Sequence, residues 1–230
     1  MFKLIKTSVL LILLISITSL GLIVENEKIN EAQNFSINFS GNNNLTKSTV
    51  DSILKNDQMI DLVNKRKTHM IEKELSKIKS IDKVNVFINN QFDLNIEIIE
   101  REPLVYSIYL DSYIDSNGII FKKKNQVEEI PNLLGSFDTK RINEVLNITK
   151  TLNEDEVFAQ KLQYIWFNEL DLFIKFKNSD LNIRLGDDKK IENKINKLKG
   201  FFLFSTEKLD NNNYQQIDLV YENQLIAIKK

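Results

Sequence analysis

Apolar and polar positions alternate along much of this chain. Val84, Val86 and Ile88, then Leu94, Ile96 and Ile98, are each separated by polar neighbours, so both segments predict strands with one apolar face. Asn89-Asn90-Gln91 breaks the pattern between them and predicts a hairpin over 81–102. Pro103 has no amide donor and marks a boundary in any sheet ladder. A second hairpin follows, with Tyr113-Ile114, the turn Asp115-Ser116-Asn117-Gly118, and Ile119-Ile120-Phe121. Two hairpins around one proline predict a seam between two small β-rich domains.

Upstream of the seam, Phe35, Ile37 and Phe39 predict a first strand. Ser48-x-x-Asp51 resembles a capping box and predicts a short helix carrying Val50, Ile53 and Leu54. A longer helix is predicted over Lys65–Lys79, with Met70, Ile71, Leu75 and Ile78 on one side. The order is β-α-α-β-β, with two helices to cover a three-stranded sheet. Downstream, a strand is predicted over Leu104–Tyr109, a loop over 131–135, and a helix over Thr139–Leu152. Three strands follow at 162–167, 171–176 and 181–185, then an amphipathic helix over Lys189–Phe202 built on Ile191, Ile195, Leu198 and Phe202. Ile217–Tyr221 and Leu225–Ile228 predict two last strands, the second a sheet edge with unpaired backbone groups. The fold class is α+β, the second domain a mainly antiparallel β domain with two flanking helices.

The amino-terminal pattern is different. Thr7 to Val24 is uncharged and rich in Leu, Ile and Val. At about 18 residues it is near the lower limit for a membrane-spanning helix. Lys3 and Lys6 precede it and Glu25 and Glu27 follow, so the positive-inside bias puts residues 1–6 in the cytoplasm and the bulk of the chain outside. A cleaved signal peptide is the competing reading; the run exceeds the usual apolar region, and no A-x-A-like site follows. Residues 25–33 then form a polar tether, followed by domains over 34–103 and 104–230.

Composition removes most chemistry. With a net charge of −1 there is no bulk attraction to nucleic acid, and with no cysteine there are no disulfides, zinc–thiolate sites or thiol nucleophiles. Only 6 glycines occur, and no P-loop, G-x-S-x-G or G-x-G-x-x-G motif. His69, the only histidine, reads as a solvated residue of a charged helix. Asp111 to Gly118 has the acidic look of a Ca²⁺ loop, but Tyr113 occupies a ligand position, so a hairpin turn is the reading. Glu100 and Glu102 around Arg101 read as a surface ion pair, Lys122-Lys123-Lys124 as a solvated strand end, and Trp166 as core rather than a docking anchor. Lys65-Arg66-Lys67 falls near the start of the predicted helix, where the helix dipole disfavours cations. No catalytic, cofactor or metal site emerges, and the protein reads as a non-enzyme.

Four patterns resemble the bacterial cell-division family FtsQ/DivIB. They are Val84-x-Val86 through Ile96-x-Ile98-x-Glu100-Arg101-Glu102-Pro103; Tyr113-Ile114-Asp115-x-x-Gly118-x-x-Phe121; Ile183-x-Leu185-Gly186 with Lys194-Ile195-x-x-Leu198; and Ile217-Asp218-Leu219-x-Tyr221. Their order behind one amino-terminal anchor covers nearly the whole chain, although Val220 stands where the family prefers arginine. The resemblance implies a POTRA domain after the membrane, then a β domain that docks partners. It implies a non-enzymatic scaffold of the divisome in the cytoplasmic membrane at the septum. The implied partners are the coiled-coil proteins FtsB and FtsL, with FtsK and FtsW–FtsI, and no small-molecule substrate. The matching partner-binding segment here is Tyr221, Glu222, Asn223, Gln224, Leu225, Ile226, Ala227 and Ile228. The alternative is that the last strand is simply covered by its own chain. A POTRA-bearing chaperone or secretion component is the alternative function.

Overall fold

In the computed structural model, the described residues are 16, 35–40, 44–91, 93–123, 127–208 and 214–230. Apart from Ser16, the predicted span over 7–24, its 1–6 tail and the 25–33 tether lie outside them. Among the described residues no helix is long and apolar enough to cross a membrane. The chain divides into two compact units, one of residues up to 41 with 48–78 and 83–99, the other of 42–47, 79–82 and 100–230. The class is α+β.

In the first unit, β1 (Phe35–Ser40) lies parallel to β3 (Leu94–Glu100), with β2 (Ile81–Ile88) on the other side of β3. The Asn89 carboxamide oxygen accepts the N–H groups of Gln91 and Asp93 at 2.9 and 2.8 Å, which is why the chain reverses there. Three helices intervene rather than two: α1 (Asn44–Leu54), α2 (Asp57–Asn64) and α3 (Thr68–Leu75). Helix α1 starts four residues before the predicted capping box, so Ser48 is an exposed mid-helix residue; Thr46, Val50 and Leu54, spaced by four, form its buried face. The single helix predicted over 65–79 is a second correction. Arg66 at φ 52° cannot continue a right-handed helix, and Asn56 caps α2 through the Gln58 N–H at 3.0 Å. Lys65-Arg66-Lys67 lies between two helices: Lys65 caps the carboxyl end of α2, where cations are favoured, and pairs with Asp61 one turn back at 2.8 Å, whereas Lys67 is the N-cap of α3, at a helix start as expected.

The second unit is organised on a nine-stranded sheet, in the order β12-β11-β10-β9-β8-β7-β4-β5-β6. Its strands are β4 (Pro103–Ser107), β5 (Ser112–Asp115), β6 (Ile120–Phe121), β7 (Asn132–Leu134), β8 (Leu162–Asn168), β9 (Asp171–Phe176), β10 (Asn182–Gly186), β11 (Tyr214–Asp218) and β12 (Ile226–Lys229). Segment 131–135, predicted as a loop, contains β7, which runs parallel to both β4 and β8. The other parallel pair is β10 with β11, so the sheet is mixed but mainly antiparallel.

The two parallel crossovers carry the helices. A 3₁₀ turn (Thr139–Arg141) and α4 (Ile142–Glu154) connect β7 to β8, and α5 (Ile191–Lys208) connects β10 towards β11. Leu133, Ile165, Ile174, Ile183 and Ile217 form a register row across five strands, each at most 1% exposed. Val145, Ile148 and Leu152 of α4 and Ile191, Ile195 and Leu198 of α5 share that core. Both helices therefore cover one face, and the alternate residues point from the other.

The Glu100–Glu102 segment is not the surface ion pair that was expected. Arg101 is 9% exposed; its guanidinium donates to the Lys79 carbonyl at 2.9 Å, the Ile81 carbonyl at 2.8 Å and the Asp115 carboxylate. Asp115 in turn accepts the N–H groups of Asn117 and Ile119 at 2.9 and 2.7 Å, so the acidic turn is occupied by its own chain. Among the described residues no group of acidic or imidazole side chains is placed to hold a metal ion.

Candidate functional site: the carboxy-terminal sheet edge

Strand β12 is the outermost strand. It pairs antiparallel with β11, with Gln216 opposite Ile228, Ile217 opposite Ala227 and Asp218 opposite Ile226. Among the described residues no strand pairs with its outer side. Alternate N–H and C=O groups of an antiparallel strand point away from its partner, so β12 presents a row of them. Its side chains divide by face. Ala227 joins the Ile217 row over the core, whereas Ile226 and Ile228 lie on the helix-free face, 37% and 38% exposed. Val220 and Tyr221, just upstream, are also exposed.

Of the predicted partner-binding residues, Ile226, Ala227 and Ile228 are in the edge strand, and Tyr221 to Leu225 form the turn that leads into it. The expected strand 217–221 ends at Asp218 instead. The Leu219 N–H still makes a ladder bond to the Arg184 carbonyl at 2.9 Å, but the Asp218 carboxylate accepts the Val220 N–H at 3.0 Å, and this local bond turns the chain out of the ladder.

That turn is tied to α5 by lysines that sequence reasoning did not single out for this role. Lys190 stands in the turn just before α5, with φ 51°, and Lys194 and Lys197, three apart, share one face of the helix. The Lys197 ammonium donates to the carbonyls of Tyr221 at 2.7 Å, Glu222 at 3.3 Å and Gln224 at 3.4 Å. Burial, and then the Lys194 charge, push its pKa down, and Glu222 pulls it back. Lys190 hydrogen-bonds Glu222, and that bond and charge lower the Glu222 pKa. Lys194, 8% exposed, donates to the carbonyls of Leu185 and Asp187 and to the Asp187 carboxylate, each at 2.8 Å. Burial alone would raise the Asp187 pKa, but Lys194 outweighs it and the carboxyl is held low.

The helix-free face leading to the edge is also held. Leu134, Trp166, Phe173, Arg184, Asp218 and Ile226 form one register row across six strands. Trp166 stacks on Phe173 at 5.4 Å and 15°, half-buried on this face and outside the core where it was expected. Arg184 bridges Asp171 at 2.8 and 2.5 Å and Asp218 at 2.8 Å, and these two carboxylates raise its pKa. At the end of β10, Gly186 has φ +78°, and a Cβ there would lie 3.0 Å from Val220 Cγ2. His69 is far from any such role, its side chain 91% exposed.

A comparison with protein families matches residues 104–228 of the 230-residue chain to the family described as FtsQ/DivIB, C-terminal related. A comparison with curated proteins gives no match.

Proposed function

The chain belongs to the FtsQ/DivIB cell-division family, and from that premise we propose that it is a non-enzymatic, single-pass scaffold of the bacterial divisome that docks an FtsB-like strand on β12. The observation that carries the docking reading is the outermost place of β12, with Ile226 and Ile228 exposed beside its unpaired side. A partner strand added there gains backbone hydrogen bonds for affinity and alternate side-chain contacts for specificity. At a net gain of about 1 kcal/mol per hydrogen bond, a few such bonds give modest affinity. Anchoring both proteins to one membrane through the uncharged 7–24 segment raises their effective concentration and supplies the remainder. In this reading the 34–103 region is a POTRA domain, and FtsL, FtsK and FtsW–FtsI are further partners.

The cellular test is depletion. Filamentous undivided cells, with the tagged protein gathered at midcell before depletion, are expected. Normal division with a uniform membrane distribution would contradict the scaffold reading.

A further inference from the structure

A second feature lies at the end of the sheet remote from the β11–β12 turn. A concave cavity of about 760 Å³ opens between the segment after α4, the β9–β10 turn, α5 and the start of β11. Its size is within the range of small-molecule sites, roughly 300–1,000 Å³, and its lining is divided in two. Apolar residues form the floor: Phe158 and Phe176 are stacked at 4.8 Å, and Phe202 meets them edge-on at 5.9 and 6.2 Å. Val157 and Leu203 at the mouth are 39% and 67% exposed. Five lysines line it, Lys161, Lys177, Lys199 and Lys230 with Lys175 reaching from the helix-free face of β9, against one acidic residue, Asp180. Lys175 pairs with Asp180 at 3.6 Å and Lys199 with Asp155 at 2.5 Å. Lys161, Lys177 and Lys230 have no carboxylate partner among the described residues.

Such a concentration of cations is not a property of the chain, whose net charge is −1. Like charges gathered without counter-charges repel, and an anion bound among them relieves the repulsion. Phe158 and Phe176 are only 3% and 5% exposed, so the apolar surface open to a ligand is that of Phe202, Val157 and Leu203. A purely polar anion would leave that surface in water, and a neutral apolar ligand would leave the ammonium groups unused. We propose that this cavity binds an amphiphilic anion, with a phosphate-type headgroup among the lysine ammonium groups and an alkyl chain against Phe202, Val157 and Leu203. The phosphate accepts charge-assisted hydrogen bonds from several ammonium donors. The volume of the cavity is that of a small-molecule site, which favours this ligand over an extended acidic peptide. The site adjoins only the end of the edge strand, through Tyr214 and Lys230, and does not depend on the docking reading.

The test uses the full-length chain in phosphatidylcholine nanodiscs, titrated calorimetrically with octyl phosphate and corrected against empty discs. Octyl glucoside, inorganic phosphate and a glutamate decapeptide are the comparison probes. Saturable binding of octyl phosphate at one site per chain is expected, at least tenfold tighter than any comparison probe and weakening as salt rises. The exposed-site variant K161E/K177E, shown folded by circular dichroism, is expected to lose at least tenfold in affinity. No heat beyond empty discs, an unchanged affinity in K161E/K177E, or equal binding of inorganic phosphate would overturn the proposal. Tighter binding of the glutamate peptide would also overturn it, in favour of an acidic protein segment.

Discussion

The Lys197 ammonium on α5 lies 2.7 Å from the carbonyl oxygen of Tyr221, and so fastens the turn before the edge strand to a helix of the core. Its depressed pKa, caused first by burial and then by Lys194, shows that the charge is held there at a cost. Lys197→Met removes that cost together with the three carbonyl bonds, so global stability is expected to move by less than about 1 kcal/mol. Amide exchange over 221–225 is expected to quicken severalfold, and partner affinity to fall by about tenfold. Native-state hydrogen exchange and a binding titration check the two parts separately.

Arg101 and Asp115 form a buried pair, with side chains 9% and 4% exposed. Asp115→Ala leaves the buried guanidinium with only Asp82, at 3.3 Å, as a carboxylate partner and frees two turn amides, and is expected to cost about 3 kcal/mol. Denaturant unfolding measures this, and an exposed control such as Asp180→Ala, 91% exposed, is expected to change little.

Gly186→Ala forces a side chain into φ +78° and sets its Cβ 3.0 Å from Val220. The conformational penalty is about 1 kcal/mol, and the contact adds to it. Combining Gly186→Ala with Val220→Ala relieves the contact but not the backbone penalty, so thermal melts of the single and double variants are expected to differ.

Asp155 and Asp187 both titrate below the ordinary aspartate value of 3.8. For each, burial pushes upward, and a lysine (Lys199 for Asp155, Lys194 for Asp187) together with backbone N–H donors and, at Asp187, the Lys189 charge brings the net shift down. With folded pKa values depressed, their contribution is complete above the unfolded value and is lost as pH falls through the folded one. Unfolding free energy is expected to decline with acid below pH 3.8, and Asp155→Asn to flatten part of that decline. Unfolding curves from pH 6 to 2.5 measure both.

Much of the sheet was legible because alternation survives burial on one face: 162–167, 171–176 and 181–185 match β8, β9 and β10 within a residue or so. Strand β7 was hidden because three residues between Pro131 and Gly135 carry no period, and only tertiary pairing on both sides makes them a strand. The break at Arg66 was hidden because its positive φ belongs to a residue that rarely adopts it. Ile217, Leu219 and Tyr221 alternate as a strand should, yet the Asp218 side chain takes the Val220 amide and ends the ladder after the Leu219 bond to the Arg184 carbonyl. The edge at the carboxy terminus was legible from the apolar, extended last strand, and the family resemblance added the docking role. Its supports were not, because Lys197 reaches the turn across 24 residues and Arg101 reaches Asp115 across 14, separations no local pattern encodes.

The account stands or falls on the outer side of β12. The direct measurement is the dissociation constant between the full-length chain and the extracytoplasmic segment of the proposed FtsB-like partner, for the parent and for Ile226→Pro, with hydrogen exchange in β8–β10 confirming that the sheet is intact. A loss of at least about tenfold in affinity is predicted, since a proline both removes a ladder donor and disturbs the edge. An unchanged dissociation constant in a variant with its sheet preserved would contradict docking at this strand.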